Sequence, residues 1–324
     1  MRFATIDIGT NTAQLLVVED EGDALRRIHA VERFVRLGEG VDARGRIGDA
    51  AQDRLLATLR EHEQTARVHG ADQIIAAGTS ALRDATNKAS VLDRVRQELG
   101  LAVEILSGAD EAAWSFAAAC APFDDLVGPC LVVDVGGGST ELVVGRDPSA
   151  HAPNYPAAIL DRASLDVGCV RLTERCFDGL PPSPEAVEAA SSLIDDALTR
   201  AAIDAGRDPV LIGTAGTATA LALVHLGPDS TWDALHGNAF TLTHAEMRHW
   251  RDELLTLPVD DILALHPDAM AGRADVFSVG VIILDRILDH FDRDSLRVSP
   301  YELRHGLALR VLSERVSPSA GSSS

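Results

Sequence analysis

One short pattern occurs twice in this chain, and that repeat constrains the fold more than any other feature of the sequence. Residues 3–18 read FATIDIGTNTAQLLVV, and residues 131–144 read LVVDVGGGSTELVV. Each stretch is an apolar run, an Asp-x-Gly turn with small hydroxyl residues, and a second apolar run, which predicts two buried strands joined by a turn. A unit that recurs in both halves of a chain predicts two related domains that face each other.

Both turns have the composition of an anion site. Three consecutive glycines, Gly136 to Gly138, leave the backbone amides of the second turn uncovered. Asp7 and Asp134 open the two turns and Glu141 follows the second, and carboxylates suit a divalent cation that rides on a phosphate. Taken alone, the second stretch could equally be a Gly-rich turn with solvated acids. The repeat favours a phosphate chain and its metal bound from two opposite sides.

Three further stretches carry candidate anion or acid–base groups. Thr79 and Ser80 follow an apolar run, and Arg83 one helical turn later suits an anion at a helix N-terminus, or alternatively an ion pair with Asp84. Residues 213–219 (GTAGTAT) form a third Gly/Thr turn between a predicted strand and a predicted helix. Ser107 and Asp110 predict a helix cap, and Glu111 beside them can point into a cleft.

Composition limits the class of protein. A length of 324 residues supports two ordinary domains. Neither a bilayer-length apolar segment nor a signal-type N-terminus is found, so we expect a cytoplasmic protein with no membrane partner. A net charge of −20 argues against a nucleic-acid partner. The four cysteines lack a CxxC pair and are interpreted as core residues. The apolar segment 276–287 suits either a core or an interface, and a homodimer is therefore expected.

The accumulated pattern resembles the Ppx/GppA phosphatase family, which comprises exopolyphosphatases and guanosine pentaphosphate phosphohydrolases. The matching stretches occur in family order over nearly the whole chain: DIGTNTAQLLV, VRLGEG, GTSALRDATN, SGADEA, VVDVGGGSTELVVG, VGCVRLTE, GTAGTATAL, RADVFSVGVIIL and ELRHGLAL. The resemblance is to the short members of the family. It implies an α/β fold with two actin-like (RNase H-like, ASKHA) domains around a central cleft. We expect an N-terminal domain at 1–124, a C-terminal domain at 125–299, a helix at about 300–314 packing back on the first domain, and a disordered tail at 315–324.

The resemblance also implies roles for individual residues. Glu111 matches the glutamate that activates water, and Asp7, Asp134 and Glu141 match the residues that handle Mg²⁺ (or Mn²⁺). Arg83 matches a phosphate-binding arginine. With the residues of the three Gly/Thr turns, the predicted phosphate-binding set is Thr10, Asn11, Thr12, Arg83, Gly136, Gly137, Gly138, Ser139, Thr140, Gly213, Thr214, Gly216 and Thr217. Two positions depart from the family pattern: Asp110 replaces an acid of the SGEEEA stretch, and Gln14 stands where Arg or His is frequent.

The predicted reaction is Mg²⁺-dependent hydrolysis of the terminal phosphoanhydride of inorganic polyphosphate, with release of orthophosphate. The alternative within the family is a 5′-phosphohydrolase acting on pppGpp. Sugar and acetate kinases share the fold, but the SGADEA and GGGSTE stretches favour a phosphatase and no sugar-binding signature is found. An actin-like ATP-binding scaffold is the non-catalytic alternative. It predicts tight ATP binding, slow turnover and concentration-dependent filaments.

Overall fold

Two mixed β-sheets organise the chain. In the computed structural model, residues 1–22, 25–146, 159–235 and 240–316 are described. The first sheet has the order β3-β2-β1-β4-β5 and the second has the order β10-β11-β9-β6-β7-β8. The strands are β1 (Arg2–Ile8), β2 (Thr12–Asp20), β3 (Leu25–Phe34), β4 (Gln73–Gly78), β5 (Val103–Ile105), β6 (Pro129–Val135), β7 (Thr140–Arg146), β8 (Ile159–Leu165), β9 (Val210–Thr214), β10 (Phe240–Thr243) and β11 (Ser295–Val298).

The second sheet repeats the topology of the first. In each, three antiparallel strands (β1 to β3, and β6 to β8) continue into a parallel strand beside the first of them (β4, and β9). The next strand in each sheet, β5 or β11, is again parallel to its neighbour. The sequence repeat therefore marks a repeated sheet, and the predicted α/β fold with two actin-like halves is confirmed.

Thirteen α-helices of the described residues cover the two sheets. They are α1 (Val41–Arg44), α2 (Asp49–Val68), α3 (Ser80–Asp84), α4 (Lys88–Leu99), α5 (Gly108–Cys120), α6 (Cys169–Cys176), α7 (Pro184–Ala201), α8 (Ala215–Leu226), α9 (His244–Leu254), α10 (Val259–Leu265), α11 (Pro267–Met270), α12 (Phe277–His290) and α13 (Leu303–Val316). We call the first sheet with α1 to α4 the first lobe, and the second sheet with α6 to α12 the second lobe.

Local sequence explains where several helices begin. The Ser107 hydroxyl accepts a hydrogen bond from the Asp110 amide and begins α5, as the predicted cap requires. Ser183 caps α7 in the same way, with Pro184 at the first helical position. Thr243 and Glu246 form a reciprocal capping box at the start of α9. All three of these helices pack on the second sheet, and their caps determine where each helix begins.

Each lobe has its own core, and α5 joins them. Ala112, Phe116 and Ala119 of α5 pack with Cys130 and Val132 of the second sheet, although α5 precedes that sheet in the chain. The predicted limits 1–124 and 125–299 stay predictions. The apolar helix α12 is buried within the second lobe. It is core and does not supply the surface of the expected homodimer.

The C-terminal helix α13 closes the first sheet. Ala308 and Val311 pack on Phe3, Leu16 and Val18 of β1 and β2. The helix ends at Val316, so residues 315 and 316 are helical and do not belong to the tail predicted at 315–324. The remainder of that tail, residues 317–324, lies outside the described residues.

The structure also describes the cysteines and the apolarity of the helices. All four cysteines are free, and Cys120, Cys130 and Cys169 are buried, as expected of core residues. Among the described helices, none is both long enough and apolar enough to cross a membrane.

Removing one side chain from α13 should weaken the whole fold. Leu307 is fully buried against Ala77, Leu106 and Trp114. We expect Leu307→Ala to lower the free energy of unfolding by about 2–5 kcal/mol, because it removes buried methyl groups and leaves a cavity. Urea denaturation measures the change. Val68→Ala, at a site where the side chain is 76% exposed, is the control and should change stability by less than about 0.5 kcal/mol. Equal losses in the two variants would contradict the packing of α13.

Candidate active site

A narrow cleft lies where the two repeated turns meet. Its volume is about 100 Å³, well below the roughly 300–1,000 Å³ of pockets that enclose drug-sized ligands. Thirteen of the predicted site residues line it: Asp7, Thr10, Asn11, Thr12, Glu111, Asp134, Gly136, Gly137, Gly138, Ser139, Glu141, Gly216 and Thr217. Four separate stretches of sequence therefore converge on one phosphate-sized space.

The turns approach so closely that a side chain would not fit between them. A Cβ atom built on Gly138 would lie 2.5 Å from Ser80 Oγ and 2.8 Å from Thr10 Oγ1. A Cβ atom on Gly137 would lie 3.0 Å from Thr10 Cβ. Glycine is needed at both positions because the main chain of the second lobe contacts side chains of the first directly.

Ion pairs hold the lobes together on one side of the cleft. Arg36 of the first lobe donates to Asp275 of the second, with an Nη1–Oδ2 distance of 2.8 Å. Arg171 of α6 binds Asp84 of α3. The Gly40 amide donates to Glu174 Oε1 at 2.8 Å. These contacts describe a closed cleft.

Uncovered backbone amides face this space. Within the described residues, the amides of Gly137 and Gly138 donate no hydrogen bond to the protein. Helix α8 begins at the cleft with Ala215, Gly216 and Thr217, and no side chain caps it. The first amides of a helix carry partial positive charge and bind anions. Ala215 has φ 60°, a left-handed conformation that costs a non-glycine residue about 1–3 kcal/mol and is typical of functional sites.

Besides Arg83, three predicted phosphate ligands are not in the cleft lining. Thr140 is fully buried and its hydroxyl donates to the Val167 carbonyl at 2.7 Å. Thr214 is fully buried and its hydroxyl donates to the Tyr301 carbonyl. Gly213 lies within β9, packed against Leu296 and Ala218. The prediction of phosphate contacts at these positions is corrected, because the residues belong to the sheet that supports the turns.

Arg83 binds the predicted base. Its Nη1 donates to Glu111 Oε2 at 2.7 Å and to the Leu106 carbonyl at 3.3 Å, and Arg83 is not among the cleft-lining residues. Burial raises the pKa of Glu111 above its ordinary value, whereas the hydrogen bond and charge of Arg83 oppose that rise. The alternative partner Asp84 pairs instead with Arg171. Arg83 therefore positions Glu111 in this closed cleft and makes no contact with the cleft interior.

The remaining carboxylates are buried together and repel one another. Burial, aided by the charges of Glu111 and Glu302, raises the pKa of Asp134 to about 7. Burial also raises the pKa values of Asp7 and Glu141 well above their ordinary values. Asp7 Oδ1 is buried and accepts no hydrogen bond, which fits a cation ligand.

The three predicted metal ligands do not form a closed set by themselves. Among the described residues, the one group of three or more potential ligands with atoms all within 4.8 Å is His244, Asp285 and Asp289, away from the cleft. Arg251 and Arg248 pair with its carboxylates, so it is an ion-pair network between α9 and α12. Mg²⁺ commonly binds through one or two carboxylates, water and substrate phosphates. Asp7, Asp134 and Glu141 suit that mode of binding.

Sequence reasoning missed a polar network at one end of the cleft. Gln14 Nε2 donates to Glu32 Oε2 at 2.7 Å and to Glu302 Oε2 at 2.8 Å. Arg273 pairs with Glu32, and Arg304 pairs with Glu302. Four of these residues line the cleft: Gln14, Glu32, Arg273 and Glu302. The alternation of polar and apolar residues in β3 and the pairing of β3 with β2 could have predicted the contact between Gln14 and Glu32. Glu302 and Arg273 come from distant parts of the chain, and no local pattern places them there.

Comparison with known proteins agrees with this geometry. Residues 16–315 match the sequence profile of the Ppx/GppA phosphatase family. Exopolyphosphatase 2 of Mycobacterium tuberculosis is 32% identical over 96% of this chain and 98% of its own length. A guanosine-5′-triphosphate,3′-diphosphate pyrophosphatase of Vibrio atlanticus is 30% identical over 96% of this chain but 59% of its own length. The crystal structure of an exopolyphosphatase from Cytophaga hutchinsonii has a TM-score of 0.83 and 28% identity, covering 96% of this chain and 98% of the other.

The fold and the cleft thus define a two-lobed α/β protein of the actin-like class with a phosphate-sized site between its lobes. The chain belongs to the Ppx/GppA phosphatase family.

Buried acids should make the metal-free protein less stable as the pH rises. The folded pKa of Asp134, about 7, exceeds the ordinary value of 3.8, so the native state binds more protons than the unfolded state between those values. The contribution of Asp134 to stability is then greatest below about pH 4 and is lost as the pH rises through about 7. We expect the melting temperature in EDTA to fall from pH 5 to pH 8 by several degrees, and Mg²⁺ to raise it more at the higher pH.

A substitution of Asp134 tests whether this carboxylate causes the pH dependence of the melting temperature. Asp134→Asn should flatten the fall of melting temperature with pH, because the buried charge is gone. Asp124→Asn, at an exposed position, is the matched control and should keep the slope of the wild type. If both variants keep that slope, the buried carboxylate is not its source.

Proposed function

We propose that this protein hydrolyses the terminal phosphoanhydride of inorganic polyphosphate and releases orthophosphate. The observation that carries the proposal is the convergence of Glu111, three further buried carboxylates and uncovered backbone amides in a space of about 100 Å³. Phosphoryl transfer requires positioning and neutralisation of charge more than covalent chemistry. The cleft has the groups for both.

Glu111 acts as the general base. The Arg83 guanidinium fixes one of its oxygens, and the carboxylate is buried at the wall of the cleft. A water bound to Glu111 would attack the terminal phosphorus, its proton would pass to the Glu111 carboxylate, and the bond from that phosphorus to the bridging oxygen would break. Orthophosphate and the polyphosphate chain shortened by one unit would then leave. The amides of Gly137 and Gly138 and the first amides of α8 would bind the phosphoryl oxygens as negative charge develops on them.

A divalent cation would neutralise part of the negative charge of the cleft. Asp7, Asp134 and Glu141 would hold Mg²⁺ (or Mn²⁺), and their burial and the repulsion among the carboxylates of the cleft, which raise their pKa values, support this assignment. When bound, such an ion neutralises phosphate oxygens and polarises the anhydride. Loss of phosphate release in EDTA and recovery with excess Mg²⁺ is the expected behaviour.

Polyphosphate is favoured over pppGpp as the substrate. The exopolyphosphatase relative is matched over 98% of its length, whereas the guanosine-nucleotide relative extends well beyond the matched region. Initial rates of phosphate release from purified polyphosphate and from pppGpp decide between them, and a higher rate with pppGpp would reverse the choice.

The proposal includes a cytoplasmic homodimer that binds neither nucleic acid nor membranes. The net charge of −20 supports solubility and disfavours polyanionic surfaces. Sedimentation velocity measures the particle mass. A mass that grows with concentration into filaments, together with tight ATP binding and slow turnover, would favour the actin-like scaffold instead.

Loss of the base should remove most of the turnover. Glu111→Gln keeps the shape of the side chain but cannot accept the proton, so we expect phosphate release from long-chain polyphosphate to fall by ~10²–10⁴. Asp110→Asn is the neighbouring control, because Asp110 makes its contacts with the Ser107 cap and should keep the rate near that of the wild type. Melting temperatures of both variants test folding. Full activity in Glu111→Gln would exclude Glu111 as the base.

A further inference from the structure

The polar network at the end of the cleft contains an acceptor without a donor. Gln14 is 5% exposed and lines the cleft, and its Oε1 is buried without a hydrogen-bond partner. Its Nε2 donates to Glu32 and to Glu302, so both amide protons are in use. Turning the amide over would place the oxygen against two carboxylates. The orientation with Oε1 unsatisfied is therefore fixed by its neighbours.

A second unsatisfied oxygen lies on the neighbouring strand. Asp7 of β1 is the cross-strand partner of Gln14 on β2, and Gln14 is the cross-strand partner of Glu32 on β3. Directly paired residues point to the same face of a sheet, with Cβ atoms about 5 Å apart. Asp7 Oδ1 and Gln14 Oε1 are thus two adjacent buried oxygens that face the same cleft without a donor. A buried acceptor without a donor is costly, whereas a cation satisfies both.

The formal charges around the cleft also favour a second cation. Six carboxylates line the cleft: Asp7, Glu32, Glu111, Asp134, Glu141 and Glu302. Three guanidinium groups contact them, those of Arg83, Arg273 and Arg304. The formal charge of the group is −3 when all are ionised, so one divalent ion leaves it negative. A second divalent ion makes it positive, as an anionic substrate requires.

The polar network also lies at an opening of the cleft. A chamber of about 550 Å³ adjoins the cleft and shares Glu32, Gly216 and Glu302 with it. Phosphates beyond the terminal one would pass two carboxylates to reach this chamber. This part of the argument rests on the proposed function.

We propose that Asp7 Oδ1 and Gln14 Oε1, with Glu302 beside them, form a second divalent-cation site that neutralises the penultimate phosphates of the substrate. All donors are hard oxygens, which favour Mg²⁺ or Mn²⁺. Asp7 has two carboxylate oxygens, so it contributes to the first cation site together with Asp134 and Glu141, and to the second site through Oδ1. In this chain, a cation bound to Gln14 would supply the positive charge that an arginine or histidine side chain at this position would provide.

Counting bound metal tests the site without substrate. The probe is Mn²⁺, measured by the electron paramagnetic resonance signal of the free ion over the full chain at near-neutral pH and physiological ionic strength, which screens surface acids. We expect two tightly bound Mn²⁺ ions per wild-type chain and one in Gln14→Arg. The arginine retains donors to Glu32 and Glu302 but removes the acceptor and adds a positive charge. Gln14→Glu, which restores an oxygen ligand, should bind two.

The control adds the same charge elsewhere. Gln97→Arg, at an exposed position on α4, should retain both Mn²⁺ ions. One ion in the wild type, or two in Gln14→Arg, would overturn the second site. Melting curves confirm that each variant is folded before the ions are counted.

Phosphate release by the same samples separates this inference from the proposed function. Release by a wild type that binds one Mn²⁺ would overturn the second site and leave the function standing. Two ions in the wild type and one in Gln14→Arg, without release from polyphosphate, would support the site and contradict the function. With both correct, release by Gln14→Arg should depend on Mg²⁺ less steeply than release by the wild type.

Discussion

The structure depends on a direct contact between two turns that lack intervening side chains. Thr10 and Ser80 of the first lobe press on the main chain of Gly137 and Gly138 in the second, at distances that exclude even a methyl group. The contact brings the amides of one turn to the aspartate of the other. Every other feature of the cleft follows from this approach: its small volume, the burial of its acids and the placement of α8 along its wall.

Burial of so many acids in a small space is the energetic consequence. Burial disfavours the charged forms of Asp7, Glu111, Asp134 and Glu141, and it raises the pKa of Asp134 to about 7. Arg83, Arg273 and Arg304 compensate only part of this charge. An arrangement of this kind lowers the stability of the protein, and clusters of acids with perturbed pKa values are typical of functional sites.

The sequence was sufficient for the repeated sheet and for most of the cleft. The Ser107 and Asp110 pattern predicted the cap at which α5 begins. The Asp-x-Gly repeat and the resemblance to a family located the two turns. Both sources are local, so they failed where a position is decided by packing. Thr140 and Thr214 have the composition of turn residues, yet strand pairing and nearby carbonyls take their hydroxyls.

Long-range contacts were the other limit of sequence reasoning. Glu302 accepts a hydrogen bond from Gln14, which lies 288 positions away in the sequence. No short sequence pattern predicts such a contact. The wall of α5 shows the same effect, because an alanine-rich helix that follows the first sheet in sequence packs on the second sheet in space. Convergence of this kind depends on how the lobes close, and the closure is set by side chains spread over the whole chain.

The position of α13 has a consequence for how this protein is made. The helix covers Phe3, Leu16 and Val18, which are synthesised long before it, and it also contacts Trp114 of α5. Translation at about 5–20 residues per second places roughly 10–40 s between completion of α5 and synthesis of α13. Throughout that interval the nascent first sheet has one uncovered apolar face. An apolar face that stays exposed during synthesis can associate with other apolar surfaces until α13 covers it.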